Sequence, residues 1–298
     1  RIREKTRLFY IDLVARIGAT PCHGKTLRQY LHQPNAGNPW WYHPFTAKSC
    51  ENDQIFNRLL QIFTIIQIYE QGNNQSLVLH GGSQEVANVL HGTFPLIKKG
   101  KLYHGRPFLL RSLLSRIKFF LKTIQYHIVL KRHNQLPEIN PDIVFHGFWD
   151  WSVQFTKQKT LKDTYFTNLP NHLTSKNFKC AWLLWFEPHH KLGSEGRSLK
   201  SVLKLVKNHS QLILVQRFLK IVDILWAFVD FRPLYQYYLF SRSKEFKNIF
   251  KENNVNFQRL VHRYLIYNFF GASLPLLKLV EISHRRAFAR YSPKVALT

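Results

Sequence analysis

Apolar and polar positions along the chain follow two rhythms, one of short solid runs and one of helical stripes. Residues 8–14 (Leu-Phe-Tyr-Ile-Asp-Leu-Val) form a short apolar run that predicts a first strand. A turn at 18–23, a short helix at 25–32 and an irregular aromatic loop at 33–44, with Trp40-Trp41-Tyr42, follow. Residues 52–70 carry Ile55, Leu59, Ile62, Ile66 and Tyr69 at helical spacing, and Gly72-Asn73-Asn74 stops that helix. A strand at 76–80 runs through Gly81-Gly82-Ser83 into a helix at 84–90, a unit of the βαβ kind. Phe108–Arg132 reads as one long basic helix, and 134–141 as a linker. Strands are predicted at 143–146 and 180–186, with helices near 151–157 and 168–175 between them. From residue 198 onward helices are predicted at 198–207, 212–228, 234–250 and 257–270, broken at Arg232-Pro233.

The stretch 141–197 says most about architecture. Its two apolar runs, Ile143-Val144-Phe145 and Ala181-Trp182-Leu183-Leu184-Trp185-Phe186, each break off into polar side chains. Buried parallel strands look like this where their carboxyl ends open into a crevice. The expected fold is therefore α/β. A Rossmann-like parallel-sheet domain would cover 1–197, with a helical insertion at about 100–135, and a mostly helical region would cover 198–298.

Charge changes the picture of partners rather than of fold. Lys and Arg number 43 against 17 acidic residues, a net charge of +26. Such an imbalance implies anionic partners: an acidic membrane surface, phosphorylated substrates or nucleic acid. Nucleic acid is not the expected partner, because the basic residues are spread along the chain and no RNP-type, helix-turn-helix or zinc-finger pattern stands out. The three cysteines, Cys22, Cys50 and Cys180, lie far apart with no CxxC pair and read as reduced thiols. No apolar run approaches the length of a spanning helix, and no signal peptide is visible. Met is absent altogether, which leaves open a piece of a longer chain or loss of Met in processing.

Several segments could carry chemistry, and each has a plainer reading. Gly24-Lys25-Thr26 after a strand suggests a phosphate loop, but five residues separate Gly18 from Gly24 and one is Pro21, which has no N–H. Lys25 stays as a possible phosphate contact; the alternative is a basic helix start. Gly81, Gly82 and Ser83 open a helix whose free N–H groups would favour an anion, against a tight turn with Ser83 as N-cap. The Phe108–Arg132 helix could lie on an anionic membrane with apolar residues inward and basic ones toward lipid phosphates, or could be a core helix with a solvated basic face. Glu187, His189 and His190 cluster, but adjacent His on extended chain point opposite ways, so no metal site is expected. With so few acids, Asp150, Glu187 and His146, within or just past strands, are the candidate bases, against roles as caps or ion-pair members. No Asp-x-Asp is present to hold a metal-bound diphosphate.

Taken together, the order of several segments resembles bacterial surface carbohydrate biosynthesis proteins of O-antigen and capsule gene clusters. The resembling pieces are residues 8–18, then Gly24-Lys25-Thr26-Leu27, Tyr30-Leu31, Trp40-Trp41 and Lys48-Ser49. They continue with 142–150, Tyr165-Phe166-Thr167-Asn168-Leu169-Pro170 and Trp182-Leu183-Leu184. The resemblance implies a GT-B-like glycosyltransferase at the cytoplasmic face of the inner membrane, contributing to lipopolysaccharide or capsule. It would move sugar from a nucleotide donor to a lipid-linked glycan without a metal or other cofactor. This chain would then be the amino-terminal, acceptor-side half, ending near Ser292-Pro293 where a second α/β domain should begin. Under that reading Asp150 or Glu187 is the base, and Lys25, His189 and Arg197 contact phosphate. The alternative is a non-catalytic basic module that binds anionic membrane or nucleic acid.

Overall fold

The computed structural model describes residues 1–32, 54–73, 75–81, 83–101, 108–132, 138–148, 153–155, 161–163, 166–186, 199–252 and 254–297. In chain order the elements begin with α1 (Ile2–Ala19), β1 (Pro21–Cys22), β2 (Lys25–Thr26), α2 (Leu27–Leu31) and α3 (Gln54–Gln71). They continue with β3 (Leu77–Leu79), α4 (Gln84–Thr93), β4 (Ile97–Lys99), α5 (Phe108–Arg132), β5 (Ile143–Phe148), β6 (Val153–Phe155) and β7 (Leu161–Asp163). Next come α6 (Leu169–Ser175), β8 (Cys180–Trp185), α7 (Leu199–Asn208), β9 (Leu212–Leu214) and a 3-10 turn (Val215–Phe218). The last group is α8 (Ile221–Val229), α9 (Arg232–Ser241), α10 (Lys244–Ile249), β10 (Lys251–Glu252), β11 (Val255–Asn256), α11 (Gln258–Phe270), α12 (Ser273–Tyr291) and β12 (Val295–Leu297). Two compact units result: Arg1–Arg116 with Asp230–Leu274, and Ile117–Val229 with Pro275–Thr298. Each takes chain from both sides of residue 197.

The first unit is built on α1. The expected strand at 8–14 lies inside this helix. Its buried residues Phe9, Tyr10, Leu13, Val14 and Ile17 recur at helical spacing, while Asp12 faces outward and pairs with Arg16 one turn on at 2.7 Å. These side chains share a core with Ile55, Phe56, Leu59 and Ile62 of α3 and with Leu260, Val261 and Leu265 of α11. Between α1 and α2 the chain makes a two-residue hairpin, Cys22 opposite Lys25. His23 and Gly24 both take positive φ, 51° and 77°, as a turn matched to strand twist requires. The helix expected from residue 25 starts at Leu27, because Thr26 caps it and Gln29 closes a reciprocal capping box.

The βαβ reading at 76–90 describes what is found: β3 and β4 are parallel, joined by α4, although β4 itself gave no signal in the sequence. The helix expected over 234–250 is two helices. The Ser243 hydroxyl accepts the Phe246 N–H at 3.0 Å and so starts α10 afresh. Arg116, 4% exposed, reaches the end of α11, donating to the Phe270 carbonyl at 3.1 Å while its guanidinium lies 4.2 Å from the Phe231 ring centre.

The second unit holds a four-stranded parallel sheet in the order β12-β5-β8-β9. The α/β class expected from the sequence is thus present. The chain steps outward from β5 to β8 to β9, then returns to lay β12 on the other side of β5, so winding reverses at β5. The helical region expected after residue 198 contributes two of these strands. Leu212-Ile213-Leu214 had been placed in a helix; all three are buried, as in a covered parallel strand, and a 3-10 turn separates them from α8. β12 is only three residues long, too short to register as a period. Two Asp142 contacts anchor its entry: the Lys294 ammonium reaches the Asp142 carboxylate at 2.8 Å, and the Val295 N–H donates to the Asp142 carbonyl at 3.2 Å.

The helix expected near 151–157 is also overturned, since Val153-Gln154-Phe155 alternates and pairs antiparallel with β7. One face of the sheet (Ile143, Phe145, Trp182, Leu184) packs on Leu130 of α5 and on Val202 and Val206 of α7. Among the described residues no single helix is long and apolar enough to cross a membrane; α11 and α12 reach that composition only as a pair broken between them.

Candidate functional site

Side chains alternate across β5. Ile143 and Phe145 enter the core beneath α5 and α7, so Val144 and His146 point to the opposite face. There His146, half-buried, meets His284 of α12 edge to face, with ring centres 4.1 Å apart and planes at 88°. His284 is 6% exposed, and its Nδ1 lies 2.8 Å from the Val280 carbonyl one turn back. Burial pushes His284 down to about 4, and the repulsion it would meet from a protonated His146 adds to this, against a weaker pull from the Val280 and Leu183 backbones. Burial lowers His146 as well. Both rings are therefore neutral near pH 7, held between sheet and helix two residues short of the end of β5.

The carboxyl edge of the sheet is where a reversal of winding opens a crevice in doubly wound folds. Phe148 of β5 and Trp185 of β8 form the last register pair of their ladder. Asp150 and Glu187 each follow that pair by two residues. Both lie outside the described residues, as do Gly82, His189 and Arg197. Just past β8, Gln216 clamps Phe186: its Oε1 accepts the Phe186 N–H at 3.2 Å and its Nε2 donates to the Phe186 carbonyl. Two cations that the sequence did not single out lie nearby, Arg217 in the 3-10 turn after β9 and Arg286 on α12. Arg217 is drawn below its ordinary pKa by burial, with Tyr291 working the other way. Arg286 of α12 grips Asp223 with both arms, one at 2.8 Å, and donates to the Phe218 carbonyl at 3.0 Å. Their signal was weak because they sit at helix and turn positions that are far apart in sequence.

A depression in this unit opens at the other end of the sheet. About 880 Å³ in volume, it lies at the amino ends of the strands, between Pro141, Asn171, Asn177, Lys179, Trp182 and Gln211. Its lining is rich in amides and carries an acid, Glu138, and a base, Lys179; none of the candidate residues falls in it.

The remaining candidates belong to the first unit. Lys25 stands exposed on the β2 hairpin. Gly81 takes φ +70° in the turn after β3, and its N–H donates to the Lys101 carbonyl at 2.8 Å. Ser83 is the N-cap of α4 by backbone geometry, yet its hydroxyl donates to the Glu85 carboxylate rather than capping an N–H. Glu85 also meets Arg263 at 3.0 Å and lies below its ordinary pKa; burial works against the shift, and the Ser83 hydrogen bond, a backbone N–H, Arg58 and Arg263 outweigh it. The first turn of α4 thus carries its own carboxylate. Among the described residues no group of three His, Cys, Asp or Glu could hold a metal ion. Cys22 and Cys180 are free thiols.

No protein-family model, curated protein or solved structure matches this chain.

Proposed function

We propose that this protein is a glycosyltransferase-like component of bacterial surface polysaccharide synthesis. It would transfer sugar from a nucleotide donor to a lipid-linked glycan at the cytoplasmic membrane surface. The observation that carries the reading is the parallel sheet whose winding reverses at β5, because such a reversal opens a ligand crevice outside the carboxyl ends of the strands. The candidate acids Asp150 and Glu187 follow the last β5–β8 register pair by the same two residues. In the proposed step one of these carboxylates takes the proton from the acceptor hydroxyl while that oxygen bonds to the anomeric carbon. The bond from that carbon to the donor phosphate breaks, and the nucleoside diphosphate leaves with its electron pair. His189 and Arg197 stabilise the departing charge. The finer GT-B-like assignment rests on the resemblance of the sequence segments, and the net charge of +26 suits anionic donor and membrane.

The test is transfer from a panel of nucleotide sugars to a lipid-linked acceptor by the full chain. Asp150→Asn or Glu187→Gln should slow transfer on the order of 100-fold, as loss of a general base does. Unchanged rates in both variants would sink the assignment. A second reading, a non-catalytic basic module on anionic membrane, is favoured by the solvent-facing apolar side of α5. Membrane binding without transfer in the wild-type chain would select it.

A further inference from the structure

Helix α5 is turned the opposite way from an ordinary surface helix. It buries Ser112, Arg116, Phe119, Thr123 and Leu130, all at most 7% exposed. It presents to solvent Leu110 (48%), Leu113 (38%), Leu114 (46%), Ile117 (46%), Leu121 (62%) and Ile128 (46%). Steps of three, four and seven residues place these six on one face, a stripe about 27 Å long at the α-helical rise. The sequence alone put the apolar residues inward; a soluble helix normally does so. The rotation is pinned. Arg116 is tied to the Phe270 carbonyl, and Phe119 packs on Phe228 with ring centres 5.4 Å apart. Rolling the leucines inward would break both contacts and leave a buried guanidinium without its acceptors.

One edge of the stripe is basic. Arg111 and Lys118 are exposed there, about 80–100° around the helix from Leu110 at 100° per residue, and Lys122 follows one turn on. No Asp or Glu occurs anywhere in 108–132. A one-sided apolar stripe flanked only by cations matches the boundary between headgroups and acyl chains of an anionic bilayer. It suits a second copy of itself less well, since an antiparallel isologous contact would set Arg111 and Lys118 against their equivalents.

We infer that the outward face of α5 is the membrane-docking surface of this protein. Leu110, Leu114, Ile117 and Leu121 enter the acyl boundary, and Arg111 and Lys118 meet lipid phosphates. This deepens the membrane part of the reading above and does not depend on the transfer chemistry. The test is flotation of the full chain with phosphatidylcholine vesicles, with and without phosphatidylglycerol, at low and high salt, in the absence of nucleotide sugar. The wild-type chain should float with the anionic vesicles. Leu114→Glu/Leu121→Glu should weaken that binding by on the order of tenfold or more, as expected for two part-buried leucines lost. Arg111→Glu/Lys118→Glu should abolish the preference for anionic lipid. An environment-sensitive fluorophore on Leu121→Cys should shift to the blue on anionic vesicles, a readout that survives if the double variants fold poorly. The inference is overturned if the wild-type chain binds neither vesicle, if Leu114→Glu/Leu121→Glu binds as well as wild type, or if the fluorophore stays unshifted. It is equally overturned if the chain is a dimer in solution that Leu114→Glu/Leu121→Glu separates, since a second copy would then cover the stripe. Flotation of the wild-type chain without transfer would leave docking standing and overturn the catalytic reading, and transfer without flotation would do the reverse.

Discussion

Mild acid should loosen this protein through one ring. His284 is held at about 4 by burial, against an ordinary value of 6.5. The unfolded chain therefore binds a proton at His284 well before the folded chain does. The contribution is fully present above pH 6.5 and disappears as pH falls toward 4. A gap of this size corresponds to about 3 kcal/mol, a large share of the margin of an ordinary domain. His146, His127 and His262 are lowered by burial too, and carboxylates titrate in the same range, so the wild-type curve alone does not isolate the ring. The decisive quantity is a difference. His284→Phe keeps the edge-to-face contact with His146 and has nothing to protonate. It should cost stability at pH 7 through the lost bond to the Val280 carbonyl, yet lose less on acidification than wild type does. Urea unfolding followed by circular dichroism at pH 7, 6, 5 and about 4.5 would give both curves. Parallel curves would refute the reasoning, as would a wild-type imidazole titrating near 6.5 in the folded protein by NMR.

Other substitutions probe named contacts. Arg116→Met should lower stability by about 2–4 kcal/mol in urea titrations, because the end of α11 loses its donor and Asp230 a nearby cation. Gln216→Leu leaves the Phe186 N–H and carbonyl unmatched in a buried setting; a loss of about 1–3 kcal/mol and faster exchange of the Phe186 amide are expected. At the β1–β2 turn, Gly24→Ala should lower stability by about 1 kcal/mol, since φ +77° suits glycine. His23→Asn should raise it by a few tenths of a kcal/mol, Asn-Gly being a favoured pair in such turns. Melting curves would read both.

Long apolar stripes were legible in the sequence. Phe108–Arg132 was delimited to the residue, and α3, α7 and α11 within two residues of each end, because their apolar positions repeat over several turns. Solid apolar runs were ambiguous. Residues 8–14 and 212–214 look alike as strings, yet the first lies in a helix and the second in a strand. What separates them is the surroundings: α1 is covered on one stripe, while Leu212, Ile213 and Leu214 are covered on both faces. The β5–β8 pair was found because each run stops abruptly at polar residues. β12 and β4 were missed because three residues cannot display a period. Which way α5 faces was illegible for a different reason: composition shows that a helix has an apolar side, but only Arg116 and Phe119, fixed by partners far along the chain, decide where that side points. The His146–His284 pair was invisible for the same cause, one ring from a strand and the other from a helix more than a hundred residues later.

The return of the chain to β5 has a consequence for how the molecule comes into being. β12 pairs with a strand about 150 residues upstream, a span whose closure is entropically expensive. The first unit is likewise completed only by Asp230–Leu274. A ribosome adding residues in order would therefore release α1–α4 and β5–β9 before either unit had its last pieces, with Val144 and Phe145 waiting for Ala296 and Leu297 and an unpaired parallel edge open to other chains. No single cut would free one unit with all of its parts. Expression of a fragment ending at residue 197 should yield insoluble material from both, and slow refolding of the full chain should track the closing of the β5–β12 ladder.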